Sequence, residues 1–269
     1  MFKKLVLFVA IAGTSILQSQ AITGVEVMQK SMDAIVALKS ATFTFAAQER
    51  FTGGKIKKTD ASFKLQVSPL KIYADVREPQ AAQLIFIPSK SADVNVKKGL
   101  KLNLSPTNKL LIADSHQPVS RAGFAQTRRI ILKSMEQRKG ENLNNFCKLI
   151  GSVTYDGKDC YKIELLENDY KIIDYTVKAG ETDIWKFCES RAIPEYKVKE
   201  LNDCGNTLTV GQKIKIPNAY AKKTTLYIDK SNYLPIYQKM EDDKGLYELY
   251  EFKSLKINVT LSDADFQFK

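Results

Sequence analysis

The sequence predicts an α+β protein, an antiparallel sheet with two helices, into which a small strand-helix-helix-strand unit is inserted. Three observations predict it. "TFTFAAQERF" and "ASFKLQV" alternate apolar and polar residues with period two, the mark of half-buried strands. Val25, Met28, Met32, Ile35 and Val36 recur at helical spacing ahead of them. From Tyr175 onward the pattern changes to short strands flanking two short amphipathic stretches.

In chain order, Lys3 and Lys4 precede a 13-residue apolar run from Leu5 to Leu17, and Ser19 and Ala21 stand at the small positions before Ile22. This reads as a secretory signal over residues 1–21, and places the rest of the chain outside the cytoplasm, in the periplasm. No second apolar stretch approaches the ~20 residues of a membrane span. The first helix is expected over residues 24–38. Phe43 and Phe45 then share a face of one strand, as do Phe63, Leu65 and Val67 of the next, with Gly53 and Gly54 as the turn between them. Further strands fall at "KIYADV", "AQLIFI" and "LKLNL", and a second helix near Gln126 to Arg138. Strands resume at "SVTYDGKDCYKIEL", where Asp156-Gly157 signals a hairpin, and at "TTLYIDKSNYLPIYQKM" and "GLYELYEFKSL".

Residues 175–217 have their own logic. "YTVKAG" reads as a short strand; Thr182 is the expected N-cap of a helix whose stripe is Ile184, Phe187 and Cys188. Pro194 opens a second helix with Val198 and Leu201 on one face, and Ile214 and Ile216 alternate in a closing strand. Both helices can bury their stripes on the two strands.

Two resemblances follow from these residues. "SHQPVSRAGF" and "YIDKSNYLPIYQKMEDDKGLYELYEFKSLKIN", in a frame of helix, strands, helix and strands, resemble exported proteins of the LolA-like superfamily. That resemblance implies an antiparallel half-barrel sheet covered by helices, discontinuous over 22–172 and 219–269, which holds a lipid or acylated protein against an apolar wall of Phe43, Phe45, Phe63, Leu65 and Val67. "YTVKAGET", "IWKFCESRAIPEYKVKELN" and "NTLTVGQKIKIP" resemble a LysM domain, residues 173–218. This second resemblance implies binding of peptidoglycan or another N-acetylglucosamine polymer through two loops, Ala179, Gly180, Glu181 and Thr182 in one and Asn202, Asn206, Thr207 and Leu208 in the other. The sequence departs from that family where Asp183 is interposed between Thr182 and Ile184, and where Arg191 replaces an aromatic or small polar residue.

The chemistry-bearing residues point away from catalysis. His116 is the single histidine, in a polar stretch where a solvent-facing turn is expected. Cys147, Cys160, Cys188 and Cys204 follow no zinc spacing; in an oxidising compartment they are expected to pair as Cys147–Cys160 and Cys188–Cys204, each within one unit. Asp242 and Asp243 precede Lys244-Gly245, where a hairpin turn accounts for them. No metal or phosphate loop and no cofactor motif is read. The net charge of +11 suits an acidic envelope partner, and export excludes nucleic acid. A cell-wall hydrolase targeted by the inserted unit, or a structural envelope protein whose sheet is filled by its own side chains, are the alternatives to a non-enzymatic binding protein.

Overall fold

Thr23 starts the first helix, α1 (Gly24–Ala37), through a capping box: its hydroxyl accepts from the Glu26 N–H at 3.1 Å, and the Glu26 carboxylate accepts from the Thr23 N–H at 2.7 Å. The computed structural model describes residues 22–269, and the expected signal segment lies outside them. The stripe of α1 is Val27, Met28, Met32 and Ile35, all buried. A Cβ on Gly24 would stand 2.7 Å from the Cys147 carbonyl oxygen, so only glycine lets the helix start flat against the sheet.

The sheet has eleven antiparallel strands: β1 (Ser40–Arg50), β2 (Ile56–Gln66), β3 (Lys71–Glu78), β4 (Ala82–Phe86), β5 (Val94–Lys98), β6 (Leu100–Leu104), β7 (Cys147–Tyr155), β8 (Lys158–Leu166), and then, past β9 (Ile172–Thr176) and β10 (Lys213–Pro217) of the inserted unit, β11 (Lys223–Asp229), β12 (Pro235–Asp242) and β13 (Gly245–Ile257). Their spatial order is β6-β5-β4-β3-β2-β1-β13-β12-β11-β8-β7, so the chain closes by laying its last strand beside its first. The expected hairpins at Gly53-Gly54 and Asp156-Gly157 form; Asp156 and Gly157 both take positive φ, 49° and 71°, as a tight two-residue turn demands. Strand β5 was not legible: "VNVKK" has only two apolar positions and a lysine pair.

One face of the sheet carries Phe43, Leu65, Ile163, Leu226, Ile236 and Phe252, buried together with α1 and with Phe124 and Ile131 around the second helix, α2 (Ala125–Glu136). The α+β reading, a broad antiparallel sheet covered by helices, therefore holds. On the opposite face a short C-terminal turn, Asp263–Phe266, packs Phe266 against Tyr73 and Ile85.

Residues 172–217 form the expected order of strand, helix, helix, strand. β9 (Ile172–Thr176) pairs antiparallel with β10 (Lys213–Pro217), and α3 (Ile184–Arg191) and α4 (Glu195–Asn202) lie between them in sequence. Val177, Ile184, Phe187, Val198, Leu208, Ile214 and Ile216 make a separate small core. The flanking strands β8 and β11 are hydrogen-bonded neighbours, from Leu166 opposite Lys223 to Cys160 opposite Asp229, so the unit leaves the large sheet and returns at one place. The cap of α3 differs from expectation. Asp183, not Thr182, is the N-cap, and its carboxylate accepts the Trp185 and Lys186 N–H groups at 2.8 and 3.0 Å. The interposed residue thus supplies a better cap than the threonine it follows.

Candidate functional site

Between the sheet and α2 lies a cavity of about 450 Å³, lined by Phe43, Phe45, Phe63, Leu84, Val96, Ile131 and Phe252 among others. Alternation builds its wall: Phe45 stands opposite Ala61 on β2 and Phe252 on β13, and Phe43 opposite Phe63. The rings lock one another, Phe43 on Phe63 at 5.2 Å and Phe45 on Phe252 at 5.3 Å between centroids, which holds the wall rigid. Of the five residues expected to line such a space, Phe43, Phe45 and Phe63 do so. Leu65 and Val67 do not; they belong to the packed core beside it. The cavity reaches the surface past Leu102 and Leu110, which are 44% and 73% exposed.

Toward the other end of β1 and β13 the same face turns polar. Glu49 stands directly opposite Glu248, and both are buried with His116, which the chain between β6 and α2 lays over them. His116 Nδ1 lies 2.9 Å from Glu248 Oε1; Tyr220 donates to the other Glu248 oxygen at 2.9 Å, and Tyr250 to Glu49 at 2.6 Å. Burial pushes the Glu248 carboxyl up to about 8 and also raises that of Glu49, while it lowers the imidazolium of His116. The solvent-facing turn expected for His116 is therefore overturned. The imidazole is enclosed by aromatic rings, stacked on Tyr196 at 4.3 Å and set against Phe51 at 4.8 Å and Tyr247 at 4.9 Å. The signal missed was the alternation itself, since Glu49 and Glu248 continue the inward positions of Phe45 and Phe252.

Tyr196 belongs to α4, so this polar end is also where the inserted unit docks. Lys197 of α4 and Arg50 of β1 both bind the carboxylate of Asp242, Lys197 at 2.8 Å, with all three side chains nearly inaccessible. Against the upward pull of burial, the two cations hold the Asp242 carboxyl below its ordinary range. Arg121, on the cavity wall, reaches Glu195 at 2.7 Å and lies over the Trp185 ring. The hairpin expected at Asp242-Asp243 forms, but Asp242 does more than turn the chain.

The two loops expected to bind glycan are adjacent. The Leu208 N–H donates to the Thr182 carbonyl at 2.7 Å and the Ile184 N–H to the Asn206 carbonyl at 3.1 Å. Ala179, Gly180, Thr182, Asn206 and Thr207 are exposed, Asn202 is half-buried and Leu208 is buried in the small core. Asn202 ties α4 to β10, its side chain bonding both the N–H and the carbonyl of Lys215 at 2.7 Å. Asn206 accepts from the Trp185 indole at 3.3 Å and from Lys199 at 2.6 Å. The Glu181 carboxylate is engaged internally, with the Lys178 N–H, Tyr175 and Arg191. Although desolvation opposes it, these partners bring its carboxyl down to about 2. Arg191, a departure at the level of sequence, is thus the partner of Glu181 and covers the Tyr175 and Phe187 rings.

The cysteines are four free thiols. The expected Cys147–Cys160 bond is contradicted by register: Cys147 pairs with Leu165 and Cys160 with Val153. The two lie toward opposite ends of the β7–β8 hairpin, about 20 Å apart at ~3.3 Å per residue, far beyond disulfide reach. Cys188 on α3 and Cys204 past α4 share the small core without an S–S bond. Burial raises all four thiols, Cys147 to about 12 and Cys160 to about 11, which removes their nucleophilic form at neutral pH.

Among the described residues no helix is long and apolar enough to cross a membrane. No family model and no curated protein matches the sequence. Solved structures do resemble it. The Pseudomonas aeruginosa MucA/MucB complex matches at 12% identity and a TM-score of 0.44, over 91% of this chain and 61% of that one, so this chain spans about three fifths of that relative. The Mycobacterium tuberculosis lipoprotein LppX matches at 15% identity and a TM-score of 0.42, over 89% of this chain and 97% of that one. A LolA superfamily protein from Nitrosomonas europaea matches at 12% identity and a TM-score of 0.35, over 92% and 99%.

Proposed function

We propose that this is an exported, non-enzymatic binding protein with two sites: a half-barrel of the LolA-like kind that takes an acyl chain into the cavity between sheet and α2, and a LysM-like unit, residues 173–218, that holds N-acetylglucosamine polymer. The observation that carries the first site is the cavity of about 450 Å³ walled by Phe43, Phe45 and Phe63, within the roughly 300–1,000 Å³ of small-molecule sites. Each methylene that enters it gains about 0.8 kcal/mol, so chain length sets affinity. The exposed Leu102 and Leu110 at its rim give the chain an apolar path inward. The second site is supported by the adjacency of the 179–182 and 202–208 loops, whose exposed backbone suits acetamido and hydroxyl groups.

Mass spectrometry of the protein purified from its native periplasm tests the first site, with a stoichiometric acyl lipid expected. A folded protein that carries none and takes up none supports the filled structural alternative. Chitin oligomers test the second: amide signals of Gly180, Thr182 and Asn206 are expected to shift more than those of the large sheet. Unchanged spectra at saturating sugar dismiss glycan binding, and release of fragments from purified sacculi reassigns the protein to the hydrolases.

A further inference from the structure

The buried polar end of the large sheet has a composition that hydrogen bonding alone does not explain. Acidic side chains are costly to bury, yet Glu49 stands directly opposite Glu248 there, and both are at most 1% exposed. One donor atom from each of Glu49, His116 and Glu248 falls within 4.8 Å of the other two. Two buried polar atoms beside them have no partner, His116 Nε2 and the hydroxyl of Tyr247. Tyr247 is skipped by the β12–β13 register, which passes from Met240 opposite Glu248 to Glu241 opposite Leu246; such an irregularity re-aims a side chain, and this one sets the Tyr247 ring 4.9 Å from the imidazole.

We propose that Glu49, His116 and Glu248 form a binding site for one divalent first-row transition ion, of which Zn²⁺ is the representative. On binding, the two carboxyl groups give up their protons, and two carboxylates with a neutral imidazole balance a 2+ charge. Imidazole and carboxylate together select zinc, manganese or iron over calcium or magnesium, which prefer oxygen alone. The surroundings are those of a ligand set held in place: Tyr220 fixes one oxygen of Glu248 and Tyr250 one of Glu49, the outer hydrogen bonding that orients metal ligands. Arg50 and Glu200 are the other charges that bear on His116. A second cavity, of about 270 Å³, reaches His116 between Phe51, Ser115 and Tyr196, with Lys109 and Lys199 on its wall; a cation would approach the site through it. Because Tyr196 comes from α4, the ion would stiffen the seat on which the inserted unit docks.

The test uses the full chain without a histidine tag, stripped with chelator and titrated with Zn²⁺ alone and with Co²⁺ alone. One ion per chain is expected, with visible ligand-field absorption for Co²⁺. Glu49→Gln keeps the shape of the side chain and an acceptor for Tyr250 and removes an ionisable ligand, so it is expected to fold and to lose the ion. His116→Gln is expected to do the same. Tyr250→Phe is expected to weaken binding on the order of 10- to 100-fold. Stoichiometric uptake that persists in folded Glu49→Gln, uptake abolished by blocking the cysteines, or none by the folded wild type would each overturn the site.

Discussion

β1 and β13 carry two different interiors along one face. At one end Phe45 stands opposite Phe252; two rungs on, Ala47 stands opposite Tyr250, and two further, Glu49 opposite Glu248. The apolar end borders a cavity, whereas the polar end is closed by His116 and by Tyr196 of the inserted unit. The difference follows from what each kind of wall loses when it stands alone. An apolar wall forfeits dispersion contacts, a fraction of a kcal/mol for each atom pair, but a buried polar wall forfeits desolvated hydrogen bonds at roughly 1–3 kcal/mol each. One pattern of alternation can therefore keep space at one end and must spend side chains at the other.

The sharpest way to break the polar end is Asp242→Ala. It leaves Arg50 and Lys197 buried without their shared carboxylate, so a loss of about 3–5 kcal/mol in stability is expected by urea denaturation. Loss of less than about 1 kcal/mol would mean that water already reaches the junction. At the apolar end two truncations separate packed core from cavity wall. Leu65, 3% exposed and close to Gly123, should cost about 2–5 kcal/mol as Leu65→Ala. Phe45→Ala, on the wall of an existing cavity, should cost less than Leu65→Ala although it removes a larger group. The reverse order would mean that the Phe45 side is close-packed in solution.

The smallest effect lies on the inserted unit. The Glu181 carboxyl is depressed from 4.5 to about 2, so its contribution is fully present above pH 4.5 and fades as pH falls toward 2. An NMR titration should show its side-chain carbon unchanged at pH 4, and Glu181→Gln should abolish the acid dependence of the Tyr175 and Arg191 signals. A midpoint near 4.5 would detach Glu181 from Arg191.

The elements that sequence showed plainly were those whose apolar pattern is local. The stripe of α1, the Phe43 and Phe45 alternation, the Asp156-Gly157 turn and each element of 172–217 in turn can be read from runs of neighbouring residues. The changed pattern also marked off the inserted unit, across which β8 and β11 pair in the large sheet. What was hidden depends on register and on distant partners. Cys147 and Cys160 looked close because they are near in sequence, but a hairpin brings residues together only at matching distances from its turn. His116 looked exposed because its immediate neighbours are polar, while its real neighbours, Glu49, Glu248 and Tyr196, come from three other places in the chain. Asp183 looked like an intrusion into a binding loop until the helix geometry gave it the cap.

If the apolar end of the sheet receives an acyl chain, a fluorescent fatty acid binds folded wild type and not folded Phe45→Lys. Thr182→Ala, on the remote loop of the inserted unit, serves as the control. Saturable uptake of about one fatty acid per chain, with affinity rising by ~0.8 kcal/mol per methylene, is expected in wild type and Thr182→Ala, and loss of uptake in Phe45→Lys. Equal uptake by wild type and Phe45→Lys, or none above background in folded wild type, would contradict it.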